Sequence, residues 1–341
     1  MSKDMMPHFE LYQPDSVEGA LDLLSRLGAG AWLMAGGNDT LDWLKDRVKR
    51  ATAVVELAGI EEMKGIRETA EGIEIGALAT LTEIEQSVLI QDRYRVLSDA
   101  ARKVASPQIR NSGTIGGNVC QDTRCWYYRY GVDCYRAGGN TCYADTPQGQ
   151  NREHCLWGAD RCIAVSPSDT APALVVLDAQ MVIQGPSGTR EVAAEDFFIG
   201  PDINIERMTV LEPGEILTTI RVPNRWAGAR FYFEKVADRN TWDFPLVNIA
   251  SAMFVEDGVI SRIRMAAGAV QCVPRRLTVV EEVATGSSQD EATAKLAGQS
   301  AVRGATPFNY NHFKIPLLQN LFQIQEDKIH LMFLKLPSTF V

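Results

Sequence analysis

Long apolar runs are missing from this chain of 341 residues. The opening stretch, MSKDMMPHFELYQPDS, contains nothing of signal-peptide length, and no later segment reaches the roughly 20 apolar residues of a membrane span. Both absences predict a cytoplasmic protein without a membrane partner. An excess of positive charge is missing too. The formal net charge of -9 argues against nucleic acid or an anionic membrane as the main partner, while leaving room for a small anion held by a few backbone amides. Histidine is scarce, at four residues, and neither Gly-x-Ser-x-Gly nor His-Glu-x-x-His occurs. No catalytic residue for transforming a carbon substrate stands out. Finally, there is no C-x2-C pair, which removes the usual zinc-ribbon signature.

What the chain does have is concentrated between Ser106 and Asp169. Gly113, Gly116 and Gly117 surround Thr114, a turn of the kind that offers backbone N–H groups to a phosphate or a flavin edge. Six of the seven cysteines follow: Cys120, Cys125, Cys134, Cys142, Cys155 and Cys162. In a reducing compartment such a cluster predicts metal ligands rather than disulfides. Thiolates drawn from a long irregular loop suit a [4Fe–4S] cluster, and a structural zinc is the alternative. Either needs four ligands, so two of the six are spectators. His154 is a further candidate nitrogen ligand, Cys272 reads as a buried apolar residue, and Trp126, Tyr127, Tyr128 and Tyr130 either shield a metal centre or give the loop its own small core.

Around this stretch the chain reads as alternating short helices and strands. Asp15 and Glu18 predict a capped helix through Leu27; a strand Ala31–Ala35 then runs into Gly36-Gly37-Asn38-Asp39-Thr40, a second amide-presenting turn. Strands are predicted over Ala53–Leu57, Lys64–Arg67 and Ile73–Ala77, a capped helix at Thr80 and Glu83, and a longer helix over about Val96 to Val104 that Pro107 ends. Beyond the cysteines, Ala173–Leu177, Ala179–Ile183 and Ile216–Val222 read as strands. Pro223 to Gly228 reads as a linker, followed by the strands Ala229–Val236, Val247–Val255 and Ser261–Ala267 and a helix over about Leu277 to Ala284. The tail from Asn320 onward is amphipathic and predicts packing against this second domain.

Two motifs together carry a resemblance. Met34-Ala35-Gly36-Gly37-Asn38-Asp39-Thr40-Leu41 and Ile109-Arg110-Asn111-Ser112-Gly113-Thr114-Ile115-Gly116-Gly117-Asn118, with Ser168-Asp169-Thr170-Ala171-Pro172-Ala173-Leu174 beyond the cysteines, resemble the FAD-binding medium subunit of the xanthine dehydrogenase and molybdenum hydroxylase family. The likeness continues through Glu212-Pro213-Gly214-Glu215-Ile216-Leu217, Phe231–Lys235 and Val273-Pro274-Arg275-Arg276, and fades after about Leu318. It implies an α+β fold: a two-part FAD-binding domain of the vanillyl-alcohol-oxidase (PCMH) type over 1–223, divided near residue 58, and a C-terminal domain of the CO dehydrogenase flavoprotein type over 229–330. It places the FAD diphosphate on Met34 to Leu41 and Thr114 to Asn118, Asp169 near the ribityl or diphosphate part, Lys235 beside the flavin ring and Leu217 close by.

The insertion over 119–167 resembles the FAD/[4Fe–4S] subunit of 4-hydroxybenzoyl-CoA reductase, and more distantly that of bacterial aldehyde oxidoreductases. That likeness implies Cys125, Cys142, Cys155 and Cys162 as cluster ligands, with Cys120 and Cys134 spare. It also implies a [2Fe–2S] small subunit and a molybdopterin-bearing large subunit as partners, with ferredoxin or NAD(P) as the soluble electron partner. The substrate would be handled on another chain. A flavin subunit of an aldehyde or xanthine dehydrogenase-type enzyme with a zinc-held loop, and a non-catalytic assembly subunit, are the alternatives.

Overall fold

The computed structural model describes residues 6–322, so the predicted tail lies outside the described residues from 323 onward. Three sheets organise the described residues. The first is parallel, with strands β1 (Glu10–Tyr12), β2 (Ala31–Met34) and β3 (Ala53–Glu56) in the order β1-β3-β2. The helix Val17–Leu27 connects β1 to β2 and buries Val17, Ala20 and Leu24. Its cap differs from the expected one: Ser16, rather than Asp15, accepts from the Gly19 amide. The second sheet is antiparallel, with β4 (Ile66–Thr69), β5 (Gly72–Gly76), β6 (Gln180–Gly185), β7 (Gly188–Ala193) and β8 (Ile216–Pro223) in the order β4-β5-β8-β6-β7. Strands separated by over a hundred residues pair here, so the whole cysteine loop is an excursion from one sheet.

The third sheet has the order β12-β11-β10-β9, formed by β9 (Arg230–Val236), β10 (Val247–Glu256), β11 (Val259–Gly268) and the short β12 (Arg275–Arg276). Both its faces are covered, which is why β10 is buried over Val247–Met253 without a polar stripe. Phe233, Ala250, Ala252 and Ala266 face the core shared with the first two sheets. Val247, Ile249, Met265 and Ala267 face helices Thr278–Ala284, Glu291–Ala301 and Lys314–Asn320.

Three further local expectations are corrected. Ala173–Leu177 is the end of a helix, Thr170–Val176, not a strand; every one of its residues is buried, so no alternation exists to tell the two apart. Pro107 does not merely stop the preceding helix, Arg95–Arg102, but opens another, Pro107–Ser112, capped by Ser106. The segment read as a linker packs tightly: Trp226 is buried, stacks on Phe254 with centroids 5.9 Å apart, and donates from Nε1 to Asp178 Oδ2 at 2.7 Å. Among the described residues no helix is long and apolar enough to cross a membrane.

Candidate functional site

The two glycine motifs meet because glycine lets their backbones touch. A Cβ on Gly36 would stand 1.9 Å from the Ser112 carbonyl oxygen, and one on Gly116 would stand 2.8 Å from that of Ala77. Gly37 has φ of +75°, in the left-handed region that favours glycine. Asn38 Nδ2 donates to Ser112 Oγ at 3.2 Å, fastening the first loop to the second. Between the loops and the third sheet opens a cleft of about 900 Å³, at the upper end for ligand pockets.

Of the predicted flavin residues, Ala35 to Leu41, Thr114, Gly116, Gly117, Asn118, Asp169, Leu217 and Lys235 line this cleft. Met34, at the end of β2, and Ile115, fully buried, do not. The two loops differ in what they can offer. In the second, the amides of Ile115 and Gly116 donate to the carbonyls of Ala79 and Ala77, each at 2.9 Å. Those of Gly117 and Asn118 donate to Thr114 Oγ1 at 3.0 Å and to the Thr114 carbonyl at 2.9 Å. In the first, the amides of Gly36, Gly37, Asn38 and Asp39 have no acceptor among the described residues. The free donors for an anion therefore belong to the first loop.

Lys235 is not a surface lysine. Its side chain is only 6% exposed, and Nζ donates to Asp169 Oδ2 at 2.6 Å and to the Lys103 carbonyl at 2.9 Å. Asn248, opposite Lys235 in the β9–β10 register, donates to Asp169 Oδ1 at 2.9 Å. Burial raises the Asp169 pKa against the opposing pull of Lys235 and Asn248. Asn118 accepts from Ser168 Oγ at 2.7 Å and Thr170 Oγ1 at 2.6 Å, which ties the segment carrying Asp169 to the second loop.

Sequence reasoning missed other lining residues: Arg124 and Gln121 beside the first loop, Arg207 opposite, and Trp242 and Phe244 from the β9–β10 connection. The available signal was two aromatics in an otherwise polar stretch, Asp238 to Phe244. Trp242 has φ of +73°, a costly conformation for a bulky residue, and its amide donates to the Ala105 carbonyl at 2.8 Å.

Cys120 lines the large cleft instead of joining the other loop cysteines. Cys125, Cys134, Cys142 and Cys162 line one small cavity of about 20 Å³, room for roughly one water. Cys155, predicted as a ligand, lies beside it, packed with Ala144 and Ile163 and partly buried Cys142. The donors suit a thiolate-held centre in kind, with no carboxylate lining the cavity. Burial pushes Cys125 and Cys155 up to about 12, so an approaching metal ion must displace their protons. Among the described residues, however, no three His, Cys, Asp or Glu side chains are grouped closely enough to hold a metal ion. His154 sits at the cavity with Nε2 3.3 Å from Cys125 Sγ, and burial lowers its pKa to about 4.

Long-range polar contacts fasten this loop. Arg136, 3% exposed, donates to the carbonyls of Ile205 and Glu206 at 2.6 and 3.0 Å and to Asp122 Oδ1 at 2.6 Å. Asp39 Oδ1 accepts from Arg129 at 2.5 Å, and Arg129 lies over the Trp43 ring at 3.5 Å. From the C-terminal helices, buried Lys314 donates to the carbonyls of Glu153, His154 and Ala269 at 3.0, 3.0 and 2.8 Å.

Comparison with known proteins gives the family. The family described as the FAD binding domain in molybdopterin dehydrogenase matches residues 7–225, and the CO dehydrogenase flavoprotein C-terminal domain matches residues 232–322. The chain is 33% identical to the aldehyde oxidoreductase FAD-binding subunit PaoB of Escherichia coli (strain K12), over 84% of this chain and 88% of that protein. It is 31% identical to the carbon monoxide dehydrogenase medium chain of Hydrogenophaga pseudoflava, over 76% of this chain and 74% of that one. A solved structure of carbon monoxide dehydrogenase from Hydrogenophaga pseudoflava superposes with a TM-score of 0.73 at 27% identity, covering 93% of this chain and 96% of that one. The chain belongs to the FAD-binding medium subunits of the xanthine dehydrogenase and carbon monoxide dehydrogenase family, the flavin-dependent oxidoreductase subunits of the molybdenum hydroxylases.

Proposed function

We propose that this chain is the electron-transfer flavoprotein subunit of a multi-subunit molybdenum or tungsten hydroxylase or reductase of the 4-hydroxybenzoyl-CoA reductase kind. In this reading FAD occupies the cleft and a [4Fe–4S] cluster is held by the loop cysteines. FAD, when bound, supplies exchange between two-electron and one-electron transfer, and a cluster supplies one-electron transfer. The orphan amides of Gly36 to Asp39 hold the diphosphate, while Gly116 and Gly117 keep the second loop low enough for it to pass. Lys235, fixed by Asp169, is the cation near the ring, where a reduced flavin gains negative charge. Leu217 supplies apolar packing and Asn118 holds Asp169's segment in place.

One observation carries the reading most directly. Arg124 lines the flavin cleft and the next residue, Cys125, lines the cysteine cavity, so the two sites are one peptide bond apart along the chain. Cys125, Cys142, Cys155 and Cys162 are the ligands in this reading. The partners are a [2Fe–2S] small subunit and a molybdopterin-bearing large subunit, with ferredoxin or NAD(P) as the soluble electron partner. The substrate is chosen on another chain in this reading. The cavity of about 20 Å³ favours a second reading in which the loop binds a single zinc ion and only clasps the structure.

An anaerobic absorption spectrum of the full chain, with iron, sulfide and zinc counted on the same sample, separates the readings. Flavin bands over a broad thiolate-to-iron shoulder, with roughly four irons and matching sulfide, support the proposal. Flavin with stoichiometric zinc and no sulfide supports the clasp. Iron without any flavin overturns both.

A further inference from the structure

Acids line the cleft, among them Asp39, Asp42, Glu212 and Asp243, yet a dinucleotide's diphosphate carries negative charge. Some cation must offset them. Lys235 is committed to Asp169 at 2.6 Å, and Arg207 to Glu212 and the Leu211 carbonyl at 2.7 and 2.8 Å. Arg124 is differently placed. Its Nη2 meets Asp39 Oδ1 and Gln121 Oε1, each at 3.1 Å, but Asp39 Oδ1 also takes Arg129. Two guanidiniums thus share one carboxylate oxygen beside the four acceptorless amides of the first loop, with Asp42 and Asp122 acting on Arg124 besides Asp39. Arg124 Nε is buried with no hydrogen-bond partner among the described residues, and Phe244 covers the guanidinium with its ring centroid 4.4 Å away. A buried, unmet N–H on a positive group is costly unless something arrives to use that charge.

We propose that Arg124, a residue of the cysteine insertion, is the cation that binds the flavin dinucleotide's diphosphate together with the amides of Gly36 to Asp39. The insertion then contributes a flavin ligand directly, besides whatever its cysteines hold. The proposal rests on the flavin reading above.

The test titrates the flavin-free full chain with FAD and, separately, with riboflavin, which lacks phosphate. Binding is read by quenching of flavin fluorescence, and folding by the melting temperature of the flavin-free protein. Arg124→Gln should weaken FAD about tenfold to a hundredfold, the range for one lost charge-assisted hydrogen bond, while leaving riboflavin within about twofold. Arg124→Lys, which keeps the charge but loses the fork, should lie between; it stands in should the glutamine variant fail to fold. Unchanged FAD affinity in either variant overturns the proposal. So does an equal loss for FAD and riboflavin, because a residue that only braces the loops affects both alike. Wild-type protein that takes up riboflavin but shows no preference for FAD also overturns the diphosphate role, and wild type that binds neither overturns the flavin reading beneath it.

Discussion

Replacing Lys235 by Met removes one half of a buried ion pair without removing much volume. Asp169 is 3% and Lys235 6% exposed at the side chain, so neither charge is water-screened. Removing one partner of such a pair costs about 3–5 kcal/mol, chiefly because the other charge is left buried alone. The carboxylate has an escape: it can take up a proton. Burial already raises Asp169 above its ordinary value while Lys235 pulls it down, and with Lys235 gone that opposition is lost. A carboxyl raised in the folded state costs nothing below its unfolded pKa, and costs progressively more as pH rises through its folded pKa. The deficit of Lys235→Met relative to wild type should therefore be near 1 kcal/mol at about pH 4, representing the lost bond to the Lys103 carbonyl. It should grow to about 3–5 kcal/mol at pH 8. Urea denaturation of the flavin-free chain at both pH values measures it. Asp169→Asn in the Lys235→Met background should recover about 2 kcal/mol at pH 8, since a neutral amide has no charge to strand. A deficit that is the same at both pH values would refute the argument. So would a double variant no better than the single one.

Three further outcomes are expected. Gly36→Ala forces a methyl onto the Ser112 carbonyl, 1.9 Å away, so the two loops must part; flavin affinity should fall at least tenfold and stability by about 1–3 kcal/mol, read by flavin titration and thermal melting. Serine substitution at Cys125 or Cys162 should lower the metal count per chain by more than half, whereas Cys272→Ser, buried against Met208 with a sulfur–sulfur distance of 3.7 Å, should leave it unchanged; elemental analysis decides. Lys314→Met strands three carbonyls and should destabilise by about 2–4 kcal/mol. Burial holds the Lys314 ammonium down to about 7, below its unfolded value, so the unfolded chain binds the proton more tightly between those values. Wild-type stability should accordingly gain on Lys314→Met as pH rises from 7 to 9, and a melting series that shows no such divergence counts against the buried-lysine account.

Much of this fold could be read from local pattern. Thr80 and Glu83 form the capping box that their spacing predicts, with Thr80 accepting from the Glu83 amide at 3.2 Å. Strands β8 to β11 fall where apolar alternation or continuous apolar runs put them. The failures occur where local sequence underdetermines the answer. Helix Thr170–Val176 is apolar all round because it is enclosed all round, and that looks like a buried strand. Helix Glu291–Ala301 offers no stripe to read, since Ala294, Ala297, Gly298 and Ala301 bury its face beside the helices Thr278–Ala284 and Lys314–Asn320 without the large residues that advertise one. In the cysteine loop no period exists at all, and whether Cys134 or Cys155 stands at the cavity depends on contacts such as Arg136 with Ile205, 69 residues away.

The two glycine motifs show the same limit in the candidate site. Their compositions are alike, and both read equally well as turns that present amides to a phosphate. The difference between them lies in the carbonyls of Ala77 and Ala79, contributed by the segment that follows strand β5, which consume the amides of Gly116 and Ile115. Among the described residues the amides of Gly36 to Asp39 in the first loop meet no such carbonyl. Glycine at Gly116 is thus required by the close approach of Ala77 rather than by a ligand. A substitution there should first cost folding, and one at Gly37, where φ of +75° shapes the free-amide loop, should first cost flavin binding. Measured side by side on the flavin-free chain, Gly116→Ala should lower the melting temperature more and Gly37→Ala the flavin affinity more; the reverse order would mean that the free amides are not what holds the ligand.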